Sequence, residues 1–368
     1  MRIEKVELRR LRLPLVRPFE TSFGSVADRT FLLVTVFGEG EEGWGECVAD
    51  ASPFYSSETA VTAWHILRDF LVPMLLEADL SSAVAVWDRV ARVRGHQMAK
   101  AAIEMAAWDL DARQQSIPLW RLLGGDGRPV ASGVSIGIQP SLEILEARVD
   151  AELVDGYQRV KIKIKPGWDI EPARRLRARH PTLALMVDAN AAYTLEDAAH
   201  LAGLDDLSLM MIEQPLEYDD VGRHVALQKQ LSTPICLDES IHTVGIAEDA
   251  IERGACRIIN IKPGRVGGHL QSRLLHDLCA SRGVPVWHGG MLESGIGRAH
   301  NLHLSTLRNF TLPGDVAASR RYYIPDLIEP GIEVRPDGTI AVPGGAGIGV
   351  AIDRGRVAAA TEEYWCSA

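Results

Sequence analysis

The sequence predicts an α/β protein: a TIM-type (β/α)7β barrel with an α+β capping domain built from both chain termini. Three observations predict it. Between residues 130 and 315 a short apolar, β-branched run ending in a polar residue recurs about every 25 residues, each time followed by a helical stretch. The flanking segments instead alternate apolar and polar residues, as strands of an antiparallel sheet do. A chain of 368 residues also suits a barrel of roughly 200–250 residues plus a second unit.

Along the chain, residues 3–15 and 30–46 read as strands, the second broken by a Gly-rich turn at 38–43. Helices are expected near 57–71 and 98–115, the latter Ala-rich and containing Trp108. The apolar runs follow at 132–138, 160–164, 183–188, 209–213, 234–238, 257–262, 284–288 and 309–315. Runs this continuous are expected when both faces of a sheet are covered. Between them, Leu142, Leu145, Val149 and Leu153 share one helix face, and Gly156 can close that helix. Thr194 with Asp197 reads as a capping box, and Gly254 and Gly283 stand where C-terminal caps belong. The last unit is incomplete, because Pro- and Gly-rich sequence follows the eighth run. The expected division is a cap at 1–128, a barrel at 129–319, and a segment at 320–368 that returns to complete the cap.

Composition excludes several classes. Net charge is −10 with no basic block, which argues against nucleic acid or an anionic membrane as partner. No apolar run approaches the roughly 18 residues that span a bilayer. The five cysteines (Cys47, Cys236, Cys256, Cys279 and Cys366) are scattered and never in C-x-x-C spacing, as expected of a reduced, cytoplasmic protein. A homo-oligomer is the default assembly.

Chemistry is concentrated at the ends of the runs. Lys163, Asp188, Glu213, Asp238 and Lys262 are spaced 25, 25, 25 and 24 residues apart, so each holds the same place in its repeat. In a β/α barrel that place is the C-terminal rim, where active sites form. Three carboxylates on adjacent strands repel one another unless a cation neutralises them. An oxygen-only set without His or Cys favours Mg²⁺, or Mn²⁺, over zinc. Asn190 and Glu239, just past two of these acids, are candidate supporting partners. Lys163 and Lys262 flank the carboxylates from separated strands, so a carboxylate substrate held between them would be exposed to a lysine on each face. One could remove the alpha proton and the other return it, or a leaving group beta to the carbanion could depart. A lysine acts as a base when its pKa falls. Lys161, two residues from Lys163, and Arg265, three after Lys262, are candidate depressors. A Schiff-base lysine enzyme or a non-catalytic barrel would leave the carboxylate trio without a task.

The order Lys161-Ile-Lys163, Asp188-Ala-Asn190, Glu213-Gln-Pro215, Asp238-Glu-Ser240 and Lys262-Pro-Gly264 resembles the muconate-lactonising subgroup of the enolase superfamily. For that superfamily Lys or His bases with Mg²⁺ are an established pairing. The resemblance spans the whole chain, including a cap segment at 18–24. Within the subgroup, the stretches 163–169, 262–268, 289–298 and 309–315 are similar to N-succinylamino acid racemases and o-succinylbenzoate synthases of menaquinone synthesis. The resemblance implies that Asp188, Glu213 and Asp238 bind Mg²⁺ and that Lys163 and Lys262 are the acid/base pair. It further implies that Ser135, Lys161, Asn190, Gly290 and Met291 line the substrate site, with Phe19, Phe23 and Tyr55 supplied by cap loops. N-acylamino acid racemisation and syn-dehydration to o-succinylbenzoate are the implied activities; a dipeptide epimerase or muconate-type cycloisomerase is the alternative. His288 departs from the resemblance, whose close members usually carry Cys before the glycines; a structural role is expected, with substrate contact as the other option. The Gly-rich stretch 344–349 lacks the strand-to-helix context of a dinucleotide fingerprint and reads as a tight cap loop.

Overall fold

The computed structural model describes residues 1–76 and 78–367. A four-stranded antiparallel sheet runs in the order Thr361–Cys366, Lys5–Thr21, Gly24–Gly38, Glu41–Cys47. The strand closest to the C-terminus thus lies beside the first one, with Glu7 opposite Cys366. Its first hairpin reaches further than the alternation suggested. The expected strand at 3–15 continues to Thr21, because pairing resumes after a register shift between Pro14 and Phe19. Proline cannot donate to the ladder, so Pro14 and Pro18 are accommodated at this irregularity. The hairpin tip then meets the other sheet: Ile138 N donates to Glu20 O (3.0 Å) and Ser22 Oγ to Asn190 O (3.2 Å).

The Ala-rich helix Gln97–Gln114 packs on this sheet, with Trp108 buried. Small residues on both sides permit a very close approach. A Cβ on Gly45 would stand 2.1 Å from Ala102 O.

Residues 133–288 supply seven parallel strands in sequential order: Gly133–Ile136, Arg159–Lys163, Ala184–Asp188, Ile212–Glu213, Ile235–Leu237, Ile258–Ile261 and Val286–His288. Helices Leu142–Val154, Ile170–Arg179, Val221–Gln228, Val244–Arg253 and His269–Ser281 alternate with them. The caps read from sequence form: Gly156 and Gly254 adopt positive φ, and Thr194 with Asp197 makes a capping box, there over a short 3₁₀ turn. The eighth run is not a regular strand. It makes isolated parallel bridges, Gly314 to Ser132 and Phe310 to Val286, and so touches both edges of the curled sheet.

Alternation along the strands sorts their side chains. Met186, Met211, Cys236, Ile258 and Trp287 form one buried apolar cluster inside the curl. Two residues further along several of these strands come Asp188, Glu213, Asp238 and Asn260, so the polar side chains sit one layer above that floor.

The two units are joined by buried polar contacts. Glu46 accepts from Ser294 N, Ser294 Oγ and Gly297 N, at the start of helix Gly295–Leu304. Glu104 accepts from His269 N and Leu270 N, at the start of helix His269–Ser281. Each carboxylate satisfies helix-terminal donors that have no partner within their own helix. Burial pushes both acids up to about 7. His269 Nε2 lies 2.9 Å from His300 Nδ1, and His300 Nε2 2.7 Å from Trp44 O, completing a chain across the junction.

Candidate active site

The strand ends bring the polar residues together beneath the hairpin tip. Asp188 and Glu213 are opposite each other in the sheet register and their carboxyl groups touch. Asp188, Glu213 and Asp238 are at most 1% exposed. Lys163 Nζ donates to Asp188 Oδ2 and Asn190 Oδ1, both at 2.6 Å. Lys161 Nζ reaches Glu213 (2.9 Å), Asp188 (3.2 Å) and Asp315 (2.7 Å). Lys262 Nζ donates to Asp238 Oδ2 at 2.7 Å and to the Tyr55 hydroxyl at 3.0 Å, and Tyr55 in turn donates to Asp238 Oδ1 at 3.1 Å. Arg265 also pairs with Asp238 and donates to Ile241 O. Asn190 Nδ2 donates to Glu239 Oε1 at 2.8 Å.

Above this layer lies a cavity of about 90 Å³. Lys163 and Lys262 both line it, as do Ser135, Lys161, Asn190, Gly290, Met291, Phe19, Phe23 and Tyr55. Asp188, Glu213, Asp238, Glu239 and Arg265 lie behind its wall. His288 is elsewhere: its ring faces Ser305 and stacks on Phe310, on the outer side of the sheet. Trp287 occupies the inward position of that strand, so His288 points away by period 2.

Two expectations need correction. The three carboxylates converge only in part: Asp238 is engaged by Lys262 and Arg265, while Asp188 and Glu213 share Lys161. Among the described residues, no three His, Cys, Asp or Glu side chains are gathered as a ready ligand set. Nor does Arg265 depress Lys262, since its guanidinium is spent on Asp238 and backbone carbonyls. Burial alone would lower Lys262, but the Tyr55 hydroxyl and the Glu213 and Glu239 carboxylates outweigh it and hold the ammonium above its ordinary pKa. Lys161 is raised likewise: burial is outweighed by Asp315, Glu213 and Asp188.

The acids show the crowding directly. Burial and the neighbouring Asp188 charge push Glu213 up. At Asp188 burial is overcome by Lys163 and Lys161, which hold it well down. Burial, then Asp188, lifts Glu239 to about 7, and its Oε2 has no hydrogen-bond partner among the described residues. Touching carboxyl groups, an unpartnered carboxylate oxygen and an all-oxygen donor set suit a hard divalent cation.

Sequence reasoning missed Asp315 and Asn260. Asp315 pairs with Lys161 and with Arg159 Nη1 (2.7 Å) and lines the cavity. Asn260 Nδ2 donates to Glu213 Oε1 at 2.6 Å. The signal for Asp315 was present: it ends the eighth run, where the other site residues end theirs. Asn260 lies two residues before Lys262 and shares its strand face.

A parallel α/β sheet with polar residues gathered at the carboxyl ends of its strands, under an α+β unit, is the architecture of an enzyme that binds a small molecule at that rim. The chain belongs to the enolase superfamily: residues 5–124 match the mandelate racemase/muconate lactonizing enzyme N-terminal domain, and residues 145–356 the enolase C-terminal domain-like family. Enzymes of this superfamily are generally Mg²⁺-dependent. The chain is 51% identical to an o-succinylbenzoate synthase of Geobacillus kaustophilus, over 96% of this chain and 95% of that one. It is also 51% identical to an N-succinylamino acid racemase of Thermus thermophilus, over 95% of each. A crystal structure of an enolase-superfamily member from Listeria innocua superposes with a TM-score of 0.96 at 39% identity, covering 100% of this chain and 99% of that one.

Proposed function

We propose that this protein abstracts the alpha proton of a carboxylate substrate with a two-lysine site, racemising N-succinylamino acids and dehydrating the o-succinylbenzoate precursor. The observation that carries this reading is the placement of Lys163 and Lys262 on separated strands, both facing one cavity over buried carboxylates. Relatives of both names at about half identity over nearly the whole chain support it.

In this reading Asp188, Glu213 and Asp238 hold Mg²⁺, with Glu239 close behind. When bound, the ion supplies positive charge to the substrate carboxylate and takes up negative charge that now holds Lys161 and Lys262 protonated. Lys163 removes the proton from one face, and Lys262 delivers one to the other. For dehydration, Lys163 acts first as base and then as acid, while Lys262 stays cationic beside the developing anion. Asn190 orients the Lys163 ammonium and Tyr55 that of Lys262. Phe19 and Phe23 cover the cavity and exclude water from it. The same reading takes residues 309–315 as the eighth stave closing the barrel, and divides the chain at 1–128, 129–319 and 320–368.

The test follows N-succinyl-L-phenylglycine with Mg²⁺ in deuterium oxide by NMR and polarimetry, with a chelated control. Metal-dependent loss of both the alpha-proton signal and the rotation is expected. Neither exchange nor formation of o-succinylbenzoate from its precursor would overturn the proposal.

A further inference from the structure

The parallel pairing between the strands Ile212–Glu213 and Ile235–Leu237 ends with Glu213 opposite Cys236. Asp238 stands two residues beyond that last pair, and a side chain takes its N–H in place of a strand carbonyl. Gln214 Oε1 accepts from Asp238 N at 3.0 Å and from Ser240 N at 3.2 Å. Gln214 Nε2 donates to Leu216 O at 3.0 Å and to Ser240 Oγ at 2.8 Å. An amide offers two donors and two acceptor lone pairs, and all four are used here. Backbone N–H groups only donate and the Leu216 carbonyl only accepts, so a flipped amide would fail these partners.

The main chain of Gln214 continues the network. Its N–H donates to Cys236 O at 2.9 Å, and its carbonyl accepts from Ala191 N, just beyond Asp188, at 2.8 Å. One residue thus ties together the ends of the three strands that carry Asp188, Glu213 and Asp238. The backbone is strained to do so. Gln214 is fully buried, its φ is +37°, in the left-handed region, and Pro215 follows it. A proline pushes the residue before it toward extended conformations. Asn190 and Ala191, across the Ala191–Gln214 bond, also have positive φ, +43° and +61°. Strain of this kind persists only where the surrounding structure fixes it, and it gathers at functional sites.

We infer that Gln214 is a positioning residue for the metal site: it fixes the spacing of the three strand ends, so that Asp188, Glu213 and Asp238 meet a divalent cation by turning their side chains alone. This rests on the proposed role of those acids as Mg²⁺ ligands. Asp188 and Glu213 already touch, while Asp238 is engaged by Lys262 and Arg265. With the backbone held by Gln214, binding has only carboxylate rotamers to order. Without the bridge, the chain around Asp238 must be ordered as well, and that entropy is subtracted from affinity.

Calorimetric titration of Mg²⁺ into the metal-stripped full-length protein tests this, alongside thermal unfolding of the same samples in chelator. Gln214→Met keeps the length of the side chain and loses all four of its hydrogen bonds. The expected result is a Mg²⁺ dissociation constant raised about 10–100-fold, the range for loss of a group that orients a metal ligand. The Mg²⁺ concentration for half-maximal activity should rise in parallel. Ser240→Ala removes only the side-chain acceptor of Gln214 Nε2 and should weaken Mg²⁺ about two- to tenfold, as loss of one hydrogen bond would; it decides the matter if Gln214→Met does not fold. A glutamine that served the fold alone would lower the unfolding temperature in chelator and leave the Mg²⁺ constant where it was. That result in Gln214→Met, or an unchanged constant in Ser240→Ala where Gln214→Met does not fold, overturns the inference and leaves the three acids as ligands. If the parent protein itself binds no Mg²⁺, the three acids are not its ligands and the inference falls with them.

Discussion

Lys163 and Lys262 are held differently, and their variants should differ accordingly. Lys163 sits between Asp188 and Asn190, whereas Lys262 shares Asp238 with Arg265 and carries the Tyr55 hydroxyl. Lys163→Ala should abolish both racemisation and dehydration, a loss of about 10²–10⁴ or more in kcat; retention of either activity in steady-state assays would remove it from the mechanism. Tyr55→Phe should lower kcat by about tenfold with little change in KM, since it removes one hydrogen bond from a proton carrier and leaves the ring in place. An unchanged kcat would make Tyr55 a packing residue only. Most of this layer was legible in the sequence, because strand-end residues at a constant spacing of about 25 must face the same way. The charge state of Lys262 was not legible. It depends on which acids lie within reach of one ammonium group, and Tyr55 and Glu213 reach it from far along the chain. Asp315 could have been found from its place at the end of the eighth run, but its pairing with Arg159, 156 residues away, could not.

Among the elements, the helix Gln97–Gln114 and the strand Glu41–Cys47 are bound by a close backbone approach. Gly45→Ala would drive a methyl group to 2.1 Å from Ala102 O, so helix and sheet must separate. A loss of about 1–3 kcal/mol is expected in denaturant unfolding; a variant as stable as the parent would show that this interface yields freely. The Ala content of the helix announced such packing, and the helix formed within a residue of its expected ends. The hairpin was less legible, since Pro14 and Pro18 argue locally for a strand end. The pairing of Phe19 with Val26 and Thr21 with Gly24 overrides them, and it is this extension that carries Phe19 and Phe23 over the site. The eighth run read as a strand but forms only isolated bridges, because a Pro–Gly pair interrupts it just before Asp315.

For the whole molecule, pH should act through the buried histidines. His288 and His300 are pulled down to about 3 and His303 to about 4, by burial in each case, and His269 falls well below its ordinary value. A histidine depressed in the folded state contributes stability that is fully present above the unfolded pKa of about 6.5 and is lost as pH falls toward the folded value. Each can withdraw up to about 1.4 kcal/mol per pH unit in that window. Glu46 and Glu104, raised to about 7, act in the opposite sense: their contribution is present below about 4.5 and is lost as pH rises through 7. Below about pH 4.5 the raised acids are protonated whether the chain is folded or not, so the histidines act unopposed by them and the melting temperature should fall between pH 4.5 and 3. A flat profile there would mean that the junction opens before these groups titrate. Which histidines are buried was not legible in the sequence, because His269 and His300 are covered by Trp108 and Trp44 of the other unit, far away along the chain.

The pairing of the strands Lys5–Thr21 and Thr361–Cys366 also has a consequence in time. About 340 residues separate them, and at roughly 5–20 residues per second a ribosome needs on the order of 20–70 s to make that stretch. Throughout synthesis the hairpin that covers the catalytic cavity has an unpaired outer edge, a template for any other extended chain. A nascent polypeptide of this design therefore calls for a chaperone on its first strand until its last one emerges, and ribosome stalling late in the message should yield aggregates rather than a working enzyme.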